Sequence, residues 1–242
     1  MQRDGFMDYV SIMPRPTRVY TYWHEADTEL RISFPMTPAT SYRVTLSPNA
    51  PDKYGAPLGQ SLDLRFTTGD LSPYARLNTG GAMGTFNAYT DTVIYAEYRN
   101  VSKLDLDLHR LTPELFTELQ AYGSYSYRQG FAPPSDSLVR TWSVSVQPPK
   151  NAARLVRLDM VAEEGAQLPP GIYYVKMTSP DVLDYDPQAT PSTYIFIRSR
   201  VNLALKQTRT ESLVWATDLA TGQPLPDLTI RLISEDLSLS LI

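Results

Sequence analysis

Cysteine is absent from the 242 residues. The chain therefore has no disulfide, no thiol nucleophile, no thioester and no thiolate-bound metal. Histidine is nearly absent: His24 and His109 are the two, far apart in sequence, so no multi-histidine metal site can be assembled within one chain. No run of about 18 apolar residues occurs, so nothing reads as a membrane-spanning helix. A basic surplus is missing as well. The formal net charge is -4, and residues 1–72 hold seven Lys/Arg against eight Asp/Glu, so no basic segment hides in the average. That balance argues against an electrostatic nucleic-acid binder. The opening MQRDGFMDYV lacks the basic-then-apolar layout of a secretory signal. A cytosolic protein and a piece of something longer are the two readings this leaves. No G-x-S-x-G, Walker, H-E-x-x-H or dinucleotide-binding fingerprint appears either.

What is present points to short strands. Hydrophobic residues make up 42% and charged residues 20%, enough apolar matter for packed cores. The 20 prolines and 16 tyrosines suit many strands joined by proline-marked turns. Period-2 alternation recurs along most of the chain. In Ser41–Ser47, Tyr42, Val44 and Leu46 alternate with Arg43 and Thr45; in Leu62–Thr68, Leu62, Leu64 and Phe66 alternate with Asp63 and Arg65. Lys103–Leu111 sets Leu104, Leu106 and Leu108 against Asp105, Asp107 and His109. Thr141–Gln147, Arg154–Val161, Gly171–Thr178, Ser192–Ser199, Ser212–Thr217 and Asp227–Ile233 repeat the pattern, and Val201–Lys206 begins another run. Strands with one wet and one dry face belong to antiparallel sheets packed as sandwiches. Pro48-Asn49, Asp52–Gly55, Pro148-Pro149, Pro169–Gly171 and Thr221–Pro224 supply the turns, and Gly80–Gly84 reads as a flexible corner.

One segment departs from this period. Thr112-Pro113-Glu114 places an N-cap, a proline at the first helical position and an acid at the positive dipole end. Leu115, Phe116, Leu119 and Tyr122 follow at helical spacing, with Gly123 as the stop. The expected fold class is thus all-β, tandem antiparallel β-sandwiches with one short helix near 112–122. Leu71-Ser72-Pro73 reads as a linker and Arg198–Arg200 as a second break. The divisions expected are 1–72, 73–199 and 200–242. The last offers about three strands, too few to close a sandwich, and is read as truncated, with an unpaired edge that favours self-association.

Four stretches together resemble a known arrangement. Tyr42-Arg43-Val44, Asp52–Gly55 and Phe66-Thr67-Thr68 resemble the closing strands of bacterial immunoglobulin-like domains. Leu168-Pro169-Pro170-Gly171-Ile172-Tyr173 after Trp142, then Asn202-Leu203-Ala204-Leu205-Lys206, then Val214-Trp215-Ala216-Thr217-Asp218-Leu219-Ala220-Thr221-Gly222-Gln223-Pro224, resemble successive landmarks in the N-terminal part of bacterial alpha-2-macroglobulin-like proteins. The resemblance covers residues 40–233. It implies an immunoglobulin-like module at 1–72, a macroglobulin-type sandwich at 73–199 and the start of another at 200–242. It also implies a non-catalytic scaffold segment of a cell-envelope or extracellular protein, in contact with neighbouring domains of the same chain, whose full-length form traps proteases. The reactive thioester of many members has no counterpart here, and nothing marks a bait region. A carbohydrate-binding or adhesin-type sandwich is the alternative.

The candidate chemical sites each have a plainer reading beside them. Asp181, Asp184 and Asp186 with Gln188 form an oxygen-rich loop of the sort that holds a hard cation, but the spacing is not that of a twelve-residue calcium loop. A solvated loop is the plainer reading, and no cofactor or metal is expected. Asp105 and Asp107 read as the wet face of a sheet, with His109 exposed beside them. Trp142 and Trp215 read as core anchors. Tyr20-Thr21-Tyr22-Trp23 before His24 reads as a strand with an aromatic core face or as a sugar-stacking platform. Tyr122, Tyr125, Tyr127, Arg128 and Phe131 lie in a Tyr/Ser/Gly-rich loop, the composition of adaptable binding loops. They form the candidate interaction surface, against the plainer reading of a disordered connection.

Overall fold

The computed structural model of the chain describes residues 5–23, 29–52, 54–120, 130–163, 166–233 and 239–241. It divides into two compact units, Met1–Leu71 and Ser72–Ile242.

The first unit holds β1 (Val10–Met13), β2 (Tyr20–Trp23), β3 (Leu30–Ser33), β4 (Ser41–Leu46) and β5 (Leu62–Thr67). β4 lies between β1 and β5 in a three-stranded antiparallel sheet, and β2 pairs with β3. The alternation of β4 places Tyr42 inward, 3% exposed, stacked on Phe66 at 5.6 Å and tilted against Phe34 at 5.3 Å. Its hydroxyl is not orphaned: it accepts the Thr37 N–H at 2.8 Å, as a buried phenol requires. On the opposite face Arg43 holds the Asp63 carboxylate of the paired strand through two nitrogens. The Asp52–Gly55 turn forms as its residues dictate. Asp52 Oδ1 accepts the N–H groups of Tyr54 and Ala56, and Gly55 takes φ +89°, a conformation that strains residues with a Cβ.

The second unit is a sandwich followed by a ribbon. Its elements are β6 (Tyr74–Asn78), β7 (Met83–Asn87), β8 (Val93–Arg99), β9 (Lys103–Leu111), α1 (Pro113–Gln120), β10 (Leu138–Ser145), β11 (Arg154–Asp159), β12 (Gly171–Thr178), α2 (Pro180–Tyr185), β13 (Ser192–Ser199), β14 (Val201–Gln207), β15 (Ser212–Asp218), β16 (Arg231–Ile233) and β17 (Leu239–Leu241). One sheet runs β10-β9-β12-β13-β7 and the other β11-β8-β6. Between them lies the main core: Leu104, Leu106 and Leu108 of β9, Tyr173, Val175 and Met177 of β12, Tyr194 and Phe196 of β13, facing Ile94, Ala96, Tyr98, Leu77 and Leu158. Tyr173 stacks on Phe196 at 5.2 Å, and Phe86 meets Phe196 edge-on at 5.5 Å. β14 pairs with β15, and β16 with β17.

The antiparallel sandwich architecture agrees with the sequence reading, with several corrections. β13 pairs with β7 in parallel, because the chain passes from β7 to β13 by a long route rather than a hairpin. Gly84 of the expected corner is a strand residue within β7. Tyr194 Oη stands where a Cβ at Gly84 would sit, so the absence of a side chain serves packing. The alternation does not mark β1, β3, β6, β7, β8 or β17. The 179–186 segment, expected as a loop, contains α2. Asp227–Ile233 is extended only over Arg231–Ile233.

Individual side chains also differ from expectation. His109 is 8% exposed, not on an open face. Trp215, expected as a core anchor, is 53% exposed. It lies on a ribbon whose two faces no third strand covers among the described residues. Trp142 is half-buried against the core, with Arg140 stacked over its ring at 4.4 Å. Tyr20 and Tyr22 are exposed rather than facing a core, and Trp23 is half-buried edge-on to Phe6 at 5.4 Å.

Candidate interaction surfaces

The outer face of the five-stranded sheet is polar at one end and apolar at the other. At the polar end Asp105 accepts from Ser143 and Asp107 from Thr141 across the β9–β10 pair, and Lys103 lies 2.8 Å from Asp105. These interactions hold the Asp105 carboxyl below its ordinary pKa, Lys103 and then Ser143 being the larger causes. The two acids make strand-to-strand ties on a solvated face, as read from sequence.

Two residues further along, the face changes character. Thr112 accepts the Leu115 N–H and starts α1, which folds back over the sheet. Leu119 is 1% exposed and joins Leu111, Tyr174 and Ile195 in a second small core, with Phe116, Ile172 and Phe131 against it. Phe131 meets the Tyr174 ring edge-on at 5.3 Å. A groove of about 460 Å³ opens beside this cluster, lined by Met83, Leu119, Phe131, Tyr174, Thr193 and Ile195 among others. Of the candidate surface, Phe131 is thus a half-buried residue at the groove wall. Tyr122, Tyr125, Tyr127 and Arg128 lie outside the described residues, as does Gly123.

His109 is buried beside this cluster, its ring edge-on to Tyr174 at 6.4 Å. Its Nδ1 lies 3.0 Å from Ser137 Oγ, while that hydroxyl donates to the Pro134 carbonyl at 2.5 Å. With the hydroxyl proton so committed, Nδ1–H is the donor to Oγ in the neutral imidazole. The pair is therefore a tie between β9 and the 134–137 turn, not an activated nucleophile, whose proton would have to point at the imidazole. Burial lowers the His109 pKa, with the Lys176 charge acting in the same sense and Asp107 against.

The acidic 181–188 segment is spent locally. Asp181 accepts the N–H and the hydroxyl of Ser102 at 2.8 and 2.9 Å, and these bonds lower its pKa. Asp186 accepts the Gln188 N–H at 3.0 Å. No group of three acidic or histidine side chains suited to a metal occurs among the described residues. No helix among them is long and apolar enough to cross a membrane. His24 lies outside the described residues.

The β14–β15 ribbon exposes several large apolar side chains. Leu203 and Leu205 are each 56% exposed, Leu213 60%. Tyr89 donates to Asp218 Oδ2 at 2.6 Å, and Arg200 lies over the Tyr89 ring, tying the ribbon to the 87–92 turn of the sandwich.

Sequence reasoning also missed Arg198, which is 2% exposed at the end of the main core. A signal was available: Arg198 is in phase with Tyr194 and Phe196, on the inner face of β13.

No protein-family model and no curated protein sequence matches the chain. Solved structures do. An Escherichia coli alpha-2-macroglobulin structure spanning domains MG0, NIE and MG1 matches 98% of this chain and 76% of its own, at 15% identity and a TM-score of 0.56. A Salmonella alpha-2-macroglobulin point mutant matches 99% of this chain at 15% identity and a TM-score of 0.68. The Salmonella protein reacted with methylamine matches 98% at 14% identity and a TM-score of 0.67. The chain spans 14% of the length of each of these Salmonella chains. The β-sandwich fold of this chain is therefore that of the bacterial alpha-2-macroglobulin structures in the region of domains MG0, NIE and MG1.

Proposed function

We propose that the chain is a non-catalytic scaffold segment of an alpha-2-macroglobulin-like protein of the bacterial cell envelope, whose full-length form traps proteases. The observation that carries this reading is the match over 98% of the chain to a structure of domains MG0, NIE and MG1. Residues 1–72 form an immunoglobulin-like module and 73–199 a macroglobulin-type sandwich. Residues 200–242 begin a further sandwich, whose remaining strands cover Leu203, Leu205, Leu213 and Trp215. Apolar side chains so exposed on a two-stranded ribbon favour such a cover, since two strands do not hold a sheet alone. The side-chain record agrees. Ser137, His109 and the acids at 105, 107 and 181 are all engaged in structural ties. The partners of the segment are neighbouring domains of its own chain and, through the whole molecule, proteases. Tyr122, Tyr125, Tyr127, Arg128 and Phe131 are its interaction loop.

The test uses the natural gene product that contains the chain, incubated with proteases of several classes. A trap leaves the enzyme able to cut a small peptide while protecting a large protein substrate. No protection for any class, or a reading frame that stops after residue 242, overturns the reading. A second reading, a carbohydrate-binding module, is favoured by Tyr20 and Tyr22, alternate residues on one face of β2 that are 56% and 63% exposed. A glycan array without signal disposes of it.

A further inference from the structure

The groove beside Phe131 carries a charge at one end and an apolar trough at the other, and the strand register fixes their order. On the outer face of the five-stranded sheet, Lys176 of β12 stands directly opposite Thr193 of β13. Two residues along, Tyr174 stands opposite Ile195, and Ile195 opposite Met83 of β7. The two rows are about 7 Å apart, two residues of extended chain. Both line the groove of about 460 Å³. Leu119 and Phe131 wall it, packed with Tyr174 and Ile195 in the second small core. Ala82 and Pro191, both exposed, complete the apolar lining.

The charge is single. Among the described residues that line the groove, Lys176 alone is ionised at neutral pH. Its ammonium makes no hydrogen bond or ion pair among the described residues. Asp107, its cross-strand neighbour on β9, is bonded to the Thr141 hydroxyl at 2.8 Å, on the side of β9 away from β12. Lys176 is half-buried and Thr193 exposed, so a ligand can reach both. This arrangement selects by charge and by shape. A cation is repelled at the Lys176 end. A small hydrophilic anion meets the ammonium but leaves the trough to water. A neutral apolar molecule fills the trough and leaves the ammonium unpaired beside it. A monocarboxylate on an unbranched alkyl chain satisfies both ends, with a charge-assisted hydrogen bond at the first.

We propose that the groove binds a medium-chain fatty acid. Its carboxylate accepts from the Lys176 ammonium and the Thr193 hydroxyl, and its alkyl chain lies over Tyr174 and Ile195 against Met83, Leu119 and Phe131. The site goes beyond the scaffold role and does not rest on it.

The test is calorimetric titration of the intact chain with octanoate. Octylamine, 1-octanol and acetate are the probes that reverse the charge, remove it or remove the tail. One octanoate per chain is expected at a Kd of about 1 mM or tighter, with each of the other probes at least about tenfold weaker. Lys176→Met keeps an apolar stem of similar length and removes the charge. It weakens octanoate about tenfold and leaves 1-octanol unchanged. Ala82→Trp, at an exposed lining position, fills the trough and weakens octanoate and 1-octanol alike. Neither position is fully buried, and an unchanged melting transition shows that each variant folds. The absence of saturable octanoate binding, equal affinity for octanoate and octylamine, or undiminished octanoate binding by either folded variant overturns the proposal. Binding of N-acetyl-alanyl-leucine about tenfold tighter than octanoate overturns the fatty-acid assignment in favour of a peptide C-terminus.

Discussion

Phe196 belongs to the core between the two sheets of the second unit. It is 0% exposed, with Tyr173 stacked on one side, Phe86 against it edge-on and Tyr194 beyond. Phe196→Ala removes an aromatic ring that no neighbour is free to replace. β13 is held on both sides, by β12 and β7, so the backbone cannot close the gap. Transfer of the lost apolar surface accounts for about 2–3 kcal/mol. The partly collapsed cavity adds about 1–2 kcal/mol, which places the sum in the usual range for such a change, about 3–5 kcal/mol. For a unit of this size each kcal/mol shifts Tm by about 2–4 °C, so a drop of about 6–20 °C is expected. Differential scanning calorimetry of the intact chain reads it, and only the transition of the second unit is affected. Phe196→Leu retains most of the volume and loses less than half as much. A fall under about 1 kcal/mol for the alanine variant, or an equal shift in both transitions, refutes the packing argument.

Gly84→Ala drives a Cβ onto Tyr194 Oη, and denaturant titration is expected to show a loss of about 1–3 kcal/mol. Adding Tyr194→Phe removes the clashing oxygen and recovers part of it, with a coupling of about 0.5 kcal/mol or more in the double-mutant cycle. His109 has a lowered pKa in the folded chain, so the unfolded chain takes up its proton first as pH falls. Its contribution is complete above about pH 6.5 and is lost as pH drops through the lower, folded value. Urea midpoints against pH show this fall in the native chain and a shallower one in His109→Gln. Asp181→Ala strips the Ser102 N–H and hydroxyl of their acceptor and costs about 1 kcal/mol, a figure reduced because solvent reaches the site. Trp215→Ser changes the stability of the isolated chain by less than about 0.5 kcal/mol, because its ring is already in water. A core-sized loss would return Trp215 to the role read from its alternation.

How far the sequence carries can be judged on particular elements. Lys103–Leu111, Gly171–Thr178 and Ser192–Ser199 are strands with the bounds that alternation indicates. Thr112 and Pro113 start α1 where capping chemistry puts it. β8 was missed although Ile94, Ala96 and Tyr98 alternate on its inner face, because Ala96 is a weak apolar mark beside Tyr95 and Glu97. β7 was missed because glycine reads as a turn until its neighbour, the Tyr194 hydroxyl, is known. The groove beside Phe131 could not be located, since it joins β7, α1, β12 and β13, which are far apart in the chain.

Local chemistry alone determined the β character, the turn positions, the helix start and the lack of thiol or multi-histidine chemistry. The first three depend on residues within a few positions of one another, and the last on a count over the whole chain. Only the tertiary structure decided which polar residues are buried and which apolar ones are not. Period-2 alternation says that two faces of a strand differ; it does not say whether a second layer covers the outer one. α1 and Phe131 supply that layer over Tyr174, and among the described residues nothing supplies it over Leu203 and Trp215. Arg198 is the same lesson inside the sandwich. Phase alone puts it inward, but the carbonyls of the 87–92 turn are what hold it there.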